Sequence, residues 1–421
     1  MSTITNDPIM LNETGMLIKD ALDRQNGYLA MLAEGKRSEI YSSMAQIAHL
    51  VRTSSLDELP RLFPIGDQII APWKDMDDSA HNTDETAYQV AWNIVNYGMV
   101  TLKDGSEVPG LWLQMHLCSA YGVQFSHQQA FMNCPDGLAA GTYYVTFGAK
   151  WGSKGADAGT TWQFTLTQAV PAGGRLSGFE SLPDVATTAF KVKSWVTADA
   201  ASPIETVDVT SGSDGTSLGT MQYASVGDDG LNSMQCMGYG HNRWGTSAIR
   251  KYLNAAGNNW WTSQEDFDIR PDQYAKKGFM SGFSDDFLAA IKPIKVTTAL
   301  NTVEGFSATT EDTYDTFFLP SLEQINANPQ LANVEGSYWP YWRKRLGVTG
   351  PVGWYAENTY EGFKIPALNA NSPQYVRLRS ANRGDAYFTW YVHSAGYVNG
   401  KIHGYGRPSA ATRFSPACVI C

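Results

Sequence analysis

The chain has 421 residues, a net charge of −10 and no run rich in lysine or arginine. Binding to nucleic acid or to an anionic membrane surface depends on such a basic footprint, so both kinds of partner are excluded. Charged residues make up 17% of the chain and aromatic residues 12%, the opposite of a disordered composition, which predicts folded domains throughout.

The length predicts about two to four domains. The 39 glycines and 19 prolines of the chain are scattered among short apolar runs, a pattern typical of β-rich structure with many turns. The first residues, MSTITNDP, have neither a basic start nor an apolar core, and no apolar run approaches the roughly 18–20 residues that span a bilayer. We therefore expect no signal peptide, no membrane insertion, synthesis in a cytoplasm, and a carrier such as a virion if the protein acts outside the cell.

The N-terminal region, residues 1–60, is predicted to form two short helices. Apolar residues at the 4-3-4 spacing of a helical seam are Ile40, Met44, Ile47 and Val51, and a weaker stripe consists of Ile18, Leu22, Leu29 and Leu32. Gly27 and Gly35 interrupt the pattern, so one long helix is not expected. Two interpretations stay open: a neck that joins several copies of the chain, or a helical hairpin that packs on its own domain.

Strand patterns follow. The segment FPIGDQIIAPW (63–73) predicts the entry to a strand, and the alternating apolar residues of 88–115 predict a hairpin that turns at Asp104-Gly105. Residues 118–210 then change to aromatic, threonine-rich strands such as GTYYVTFGAKWG and TTWQFTLTQAV, with glycine-rich turns between them. This region is predicted to be a small antiparallel β-sandwich.

Helical patterns return in the last part of the chain. They are NRWGTSAIRKYLNAAG (242–257) and SDDFLAAIKPI (284–294), and each has Ser, Thr or Asp near its start, as helix caps require. The remainder, 296–421, reads as strands and loops rich in Tyr, Trp, Asn and Gly.

Four segments of the second half carry a family resemblance: NRWGTSAIRKYLN, FSDDFLAAIKPIKVTT, DTFFLPSLEQI and VRLRSANRGDAYFTWYVHSAGYVNG…RFSPACVI. They resemble the variable proteins of diversity-generating retroelements in their C-type-lectin-fold form, of which phage tropism determinants are the known examples. In that family, DTFFLPSLEQI corresponds to a strand that turns into a helix. The terminal segment is the most specific, since the family reads Leu-Arg-Ser, then a variable stretch, then Arg-Phe/Val-x-Pro-Ala.

The resemblance implies an α+β fold: a C-type-lectin-like domain made of residues 61–117 and 211–421, with the β-sandwich module of 118–210 inserted and a short N-terminal helical region. It further implies a non-enzymatic receptor-binding protein of a phage tail, located in the virion, which is a homotrimer and binds a protein or glycan receptor on the host bacterial surface. No catalytic residue, cofactor or metal is expected.

The resemblance also implies a variable, ligand-binding region at about 385–406. The residues expected to vary are Asp385, Tyr387, Phe388, Tyr391, His393, Tyr397, Asn399, Gly400, Ile402, His403, Gly404 and Tyr405. Replacing the adenines of AAC or AAT codons, as these retroelements do, reaches every one of these residue types but not Lys, Trp, Met, Gln or Glu. Lys401 is therefore expected to be fixed or to come from another codon.

The composition of this stretch favours binding. Tyrosine, glycine, asparagine and histidine together are typical of antibody-like binding surfaces, in which rigid aromatic rings supply contact area and small polar residues adapt to the ligand. The anchors would be Tyr387, Phe388, Tyr391, Tyr397 and Tyr405. The alternative interpretation is an ordinary aromatic-rich turn region. Around the stretch, Leu378, Phe414, Val419 and Ile420 are expected in the core, and Arg377, Arg379 and Arg383 are expected to make structural hydrogen bonds.

Two other functions stay open. The first is a fixed carbohydrate-binding or structural tail-fibre protein that binds through its β-module, where Trp151 and Trp162 would stack on sugars. The second is an oxidative enzyme of the formylglycine-generating type that uses Cys418 and Cys421. A redox C-x-x-C normally opens a helix, whereas this one ends the apolar PACVIC, so a terminal strand is the expected structure.

Other sites are not supported by the sequence. The five cysteines are odd in number and irregular in spacing, which argues against a disulfide framework. The seven histidines show no zinc-binding spacing, and the Glu-Pro-Asn and Trp-Asn-Asp motifs of calcium-dependent lectins are absent.

Overall fold

The computed structural model describes residues 43–75, 87–127, 131–134, 136, 139–146, 161–166, 169, 172, 174–177, 204–211, 216–224, 240–258, 260–262, 268, 270–302, 306–384, 388–400 and 405–421. Over these residues the protein is a mixed α+β structure made mostly of sheets, as expected. The α-helices are α1 (Met44–Thr53), α2 (Leu59–Leu62), α3 (Ala248–Leu253), α4 (Asp285–Ala290) and α5 (Pro340–Leu346). Short 3-10 helices span Asp272–Ala275, Phe279–Gly282, Ala356–Asn358 and Glu361–Phe363. None of the helices in the described ranges is long and apolar enough to cross a bilayer.

The strands belong to three larger sheets and two short hairpins. The strands before residue 225 are β1 (Gln68–Lys74), β2 (Ala87–Thr101), β3 (Glu107–Met115), β4 (Val123–Gln124), β5 (Phe131–Cys134), β6 (Gly141–Thr146), β7 (Thr161–Leu166), β8 (Gly174–Ser177), β9 (Ile204–Ser211) and β10 (Thr216–Ala224). The second half contains β11 (Ile294–Ala299), β12 (Thr310–Asp315), β13 (Pro366–Ala367), β14 (Ala370–Pro373), β15 (Val376–Ala381), β16 (Thr389–His393), β17 (Tyr397–Asn399), β18 (Ala411–Phe414) and β19 (Ala417–Ile420).

A four-stranded antiparallel sheet, in the order β1-β2-β3-β19, places the last strand of the chain beside the first three. Its β2–β3 hairpin turns at Asp104-Gly105, where Gly105 has a φ of +85° that few other residues adopt. The predicted hairpin is confirmed. The last strand, β19, pairs with β3 and is buried along its whole length, so the end of the chain belongs to the core, as expected for Val419 and Ile420.

Helix α1 packs on its own domain. Ser43 caps it by accepting a hydrogen bond from the Gln46 amide, and its apolar face buries Ile47 and Val51. Arg52 also donates to the Cys421 carbonyl oxygen, at 3.4 Å. For this helix the apolar seam is therefore not available to a second chain, which favours the packed-helix interpretation over the neck. Residues 1–42, with the rest of the predicted seam, lie outside the described residues.

The two helices predicted after residue 240 are confirmed. Ser247 caps α3 and Ser284 caps α4, each by accepting a hydrogen bond from the amide three residues later. The segment after β12 differs from the helix that the family resemblance implies, since residues 322–326 form only a turn. Asn326 at its end has a φ of +64°, which an α-helix cannot accommodate.

Strands β5 to β10 form one antiparallel sheet, in the order β7-β6-β9-β10-β5-β8. The sequence predicted a sandwich over 118–210, but the described strands lie between Phe131 and Ala224 and share a single sheet. The predicted sandwich stays a prediction, because residues 147–160 and 178–203 of this region lie outside the described residues.

The two ends of the segment that carries this sheet lie side by side. The Ser126 hydroxyl oxygen lies 2.7 Å from the His241 carbonyl oxygen, to which it donates, and 2.8 Å from the His241 amide nitrogen, from which it accepts. Next to this contact, β4 pairs with β18 and so belongs to the five-stranded sheet β17-β16-β15-β18-β4. The residues that flank the segment of this sheet, Ser126 and His241, thus lie next to each other.

Candidate functional site

The predicted variable region forms one edge of the five-stranded sheet. Strand β16 pairs antiparallel with β15 and β17, with Tyr391 opposite Arg377 and Asn399, and His393 opposite Tyr397. Residues directly opposite one another in a sheet point to the same side, and alternate residues of a strand point to opposite sides. One side of the sheet, which we call the outer face, therefore carries the side chains of positions 391, 393, 397 and 399.

The other side of the sheet, the inner face, belongs to the hydrophobic core. Trp390, Val392 and Val398 are each at most 1% exposed. Trp390 packs on Trp354, with ring centroids 4.7 Å apart, and its indole nitrogen donates to Gln330 at 3.0 Å. Gly400 lies on this side as well, where a Cβ would stand 2.6 Å from the Trp390 ring. Position 400 therefore accommodates glycine and is a poor place for variation.

Five rings collect on the outer face. This aromatic cluster consists of Tyr375, Tyr391, His393, Tyr397 and Tyr405. Tyr375 stacks on Tyr405 with centroids 3.8 Å apart and meets His393 edge-on at 4.6 Å. His393 in turn stacks on Tyr397 at 4.2 Å. The five rings therefore form one continuous set of contacts, in which Tyr391 is buried and Tyr405 is 48% exposed.

The Arg377 guanidinium holds the loop that lies over part of this face. It is fully buried and donates to the carbonyl oxygens of Gly406, Arg407 and Ala410, at 3.0–3.2 Å. It also donates to the hydroxyls of Thr389 and Thr412. Burial lowers the pKa of Arg377 to about 9, still above neutral pH, so the guanidinium keeps its charge and all its donors.

Two asparagines hold the rest of the segment. The Asn242 side chain donates to the Phe388 carbonyl oxygen at 2.8 Å and to that of Asn382 at 2.9 Å. The Asn382 side chain donates to the Gly400 carbonyl oxygen at 2.8 Å. We call Asn242, Arg377 and Asn382 the anchor residues. Their acceptors in residues 388–410 are mostly main-chain oxygens, which every amino acid supplies.

His393, Tyr391 and Tyr397 are uncharged at neutral pH. Partial burial lowers the pKa of His393, and its Nδ1 accepts a hydrogen bond from the Ala395 amide at 3.0 Å, which leaves the proton of the neutral ring on Nε2. Burial, and then the neighbouring tyrosines, raise the pKa of Tyr391, and burial also raises that of Tyr397. A ligand thus meets neutral rings with hydroxyl and N–H groups at their edges.

The structure separates the residues expected to vary into three groups. His393, Tyr397 and Tyr405 are partly or largely exposed in the cluster, and Phe388 is half-buried at the start of the segment. Tyr391 and Asn399 are each 2% exposed, and Gly400 is buried, so these three do not form the surface that composition suggested. Outside the described residues lie Asp385, Tyr387, Ile402, His403 and Gly404.

Sequence reasoning missed Tyr375 and the anchor residue Asn242. The signal for Tyr375 is the register: once β15 is paired with β16, the residue before Val376 falls opposite His393. The same alternation separates Gly400 from the odd-numbered positions. Arg377, Arg379 and Arg383 make structural hydrogen bonds as expected; Arg379, for example, donates to the Leu319 carbonyl oxygen at 2.8 Å.

Cys118, Cys418 and Cys421 are buried free thiols. Cys418 lies inside β19, where burial raises its pKa well above the ordinary range, and burial raises the pKa of Cys421 to about 11. Both thiols are therefore protonated at neutral pH, unlike the low-pKa cysteine of a redox motif. Among the described side chains, no group of three or more His, Cys, Asp and Glu is arranged to hold a metal ion.

Comparison with known families locates one match in the chain. Residues 226–420 match a family model described as a domain of unknown function, DUF6273. The match begins just after β10 and ends at the last residue of β19, so it contains α3, α4 and the aromatic cluster. No curated protein matches the chain significantly, and neither does any solved structure.

Proposed function

We propose that the chain is a receptor-binding protein of a phage tail that presents a retroelement-diversified surface on a C-type-lectin-type fold. Its partner is a protein or glycan on the host bacterial surface. One observation carries the proposal: the anchor residues hold residues 388–400 and 405–410 mainly through main-chain carbonyl oxygens rather than through the exposed side chains of the cluster. A segment held in this way keeps its path when those side chains are replaced.

The cluster has the physical properties of a binding surface. Tyrosine rings provide large contact areas with few rotatable bonds. Each aromatic side chain that is well buried in an interface contributes about 1–3 kcal/mol to the free energy of binding. The neutral state of His393 avoids the cost of removing a charge from water when a ligand covers it. Presentation on a trimer, which is part of the proposal, would raise the effective affinity roughly 10²–10⁴-fold without new contacts.

Sequencing the 3′ end of this gene across a population of its source tests the proposal. We expect adenine-templated variation at codons 393, 397 and 405, whose side chains lie on the outer face. Codons 390, 392, 398 and 400 serve as internal controls and should stay constant, because their residues face the core. A uniform sequence in an actively growing population, or variation spread equally over both sets, would contradict the proposal.

A further inference from the structure

Tyr375 lies at the centre of the aromatic cluster, although it precedes the segment expected to vary. It is the residue before β15, and the pairs Val376–Val392 and Arg377–Tyr391 put it opposite His393 on the outer face. Its ring stacks on Tyr405 and meets the edge of His393. A residue outside the variable segment thus touches side chains that diversification would replace.

The contact with Tyr375 determines where the Tyr405 side chain stands. The main chain at position 405 is held independently, since the Tyr405 carbonyl oxygen accepts a hydrogen bond from the Thr412 hydroxyl at 2.9 Å. The two rings are within 10° of parallel, so Tyr375 covers one face of the Tyr405 ring. With Tyr405 48% exposed, the other ring face is left to a ligand.

We propose that Tyr375 is a fixed positioning residue of the binding surface, which orients whatever side chains occupy positions 393 and 405. This inference rests on the proposed function. Aromatic occupants are oriented by stacking, and aliphatic ones by packing on the ring. A side chain that is ordered before binding loses less entropy on binding. The Tyr375 ring therefore raises the affinity of many different variants without contacting the ligand itself.

Two display libraries of the full chain test this role. Positions 393, 397 and 405 are randomised with codons that end in a pyrimidine, in one library with Tyr375 and in the other with Tyr375→Leu, which keeps apolar volume but removes the ring. Both libraries are selected against immobilised hen lysozyme as a defined protein probe. We expect the Tyr375 library to yield more and tighter binders.

The best clones from the Tyr375 library then receive Tyr375→Leu or Tyr375→Phe. The Leu variants should bind lysozyme about tenfold more weakly, because stacking with the neighbouring rings is lost, while the Phe variants keep the ring and should stay within about threefold. Thermal unfolding of both variants should give the same midpoint, which separates positioning from folding.

The possible failures differ. Equal affinities in both libraries, or an unchanged Kd in the Leu variants, would overturn the role of Tyr375 and leave the proposed function intact. Weaker binding that merely follows a lower unfolding midpoint would show that the ring acts on stability, and would also overturn it. Failure of both libraries to yield binders, although the displayed chains are folded, would contradict the proposed function together with this inference.

Discussion

At the scale of single residues, the segment from Phe388 to Tyr405 divides into side chains that the fold uses and side chains that face solvent. Gly400 and Trp390 belong to the first kind, since the indole ring occupies the space that a Cβ at position 400 would need. His393 and Tyr405 belong to the second kind. Neighbouring positions can differ, as buried Val392 and partly exposed His393 do, so a position that the fold requires can stand beside one that tolerates change.

Gly400→Ala tests this division. The added methyl would lie within 2.7 Å of three Trp390 ring atoms, so we expect the free energy of unfolding in urea to fall by about 1–3 kcal/mol. Gly384→Ala is the matched control, because its Cβ would be 3.9 Å from its nearest neighbour, and it should change stability by less than about 0.5 kcal/mol. Equal stability of the two variants would mean that the Trp390 ring is not where we place it.

His393 predicts a dependence of stability on pH. Because its folded-state pKa lies below the ordinary value of 6.5, the unfolded chain takes up a proton first as the pH falls. The contribution of this residue to the free energy of unfolding is therefore present above about pH 6.5 and is lost as the pH decreases toward the folded-state pKa.

Denaturant unfolding from about pH 7.5 to about pH 5.5 measures this effect. We expect the protein to lose more stability over that range than His393→Phe, which keeps a flat ring but cannot be protonated. The same pH dependence in both would show that His393 is not protected from protonation.

At the scale of secondary-structure elements, β15 determines the position of the neighbouring segments. It is buried at every position, and its Arg377 side chain connects the sheet to the loop that precedes β18. A buried charge is costly unless it is hydrogen-bonded, and here carbonyl and hydroxyl oxygens accept from the two terminal nitrogens of the guanidinium in place of a carboxylate. The arginine therefore links the loop to the sheet rather than binding a ligand.

Replacement of Arg377 by methionine should loosen this loop. Several buried acceptors would lose their donor at once, so we expect the free energy of unfolding to fall by about 3 kcal/mol or more, with faster amide hydrogen exchange in residues 405–412. Lys364→Met is the control: it removes a partly exposed ion pair with Glu361, which should cost less than about 1 kcal/mol. A small loss with unchanged exchange would show that the loop is held by other contacts.

The sequence predicted elements better than it predicted their partners. The Asp104-Gly105 turn and the caps Ser247 and Ser284 are local signals, and the structure confirms each of them. The pairing of β19 with β3 joins residues far apart in the chain, and no local pattern encodes it. The outer face of the candidate site depends on such pairings, which explains why Tyr375 was missed and Gly400 was included.

At the scale of the whole molecule, the contact between Ser126 and His241 joins two residues that flank the segment carrying the sheet β7-β6-β9-β10-β5-β8. The family match over residues 226–420 begins only after the strands of that sheet. Since Ser126 and His241 already touch, we expect that the segment between them can be removed without rearranging the described residues on either side.

Replacement of residues 128–239 by a short Gly-Ser linker should therefore leave a folded domain. We expect a single cooperative unfolding transition with a midpoint within about 5 °C of the parent, because a short linker closes the gap at little entropic cost. Adsorption to host cells should persist if the aromatic cluster binds the receptor. Adsorption should be lost if the sheet of residues 131–224 binds the receptor instead. The same variant therefore tests the alternative of a module that binds carbohydrate.

The anchor residues have a consequence for inheritance. Asn242, Arg377 and Asn382 bind carbonyl oxygens that any substitution leaves in place. In a lineage in which the outer-face codons are mutated, the mutations would change which receptor the protein binds. They would not lower the amount of protein that folds. Such a lineage could change its host range in one generation, without first accumulating compensatory mutations elsewhere in the gene.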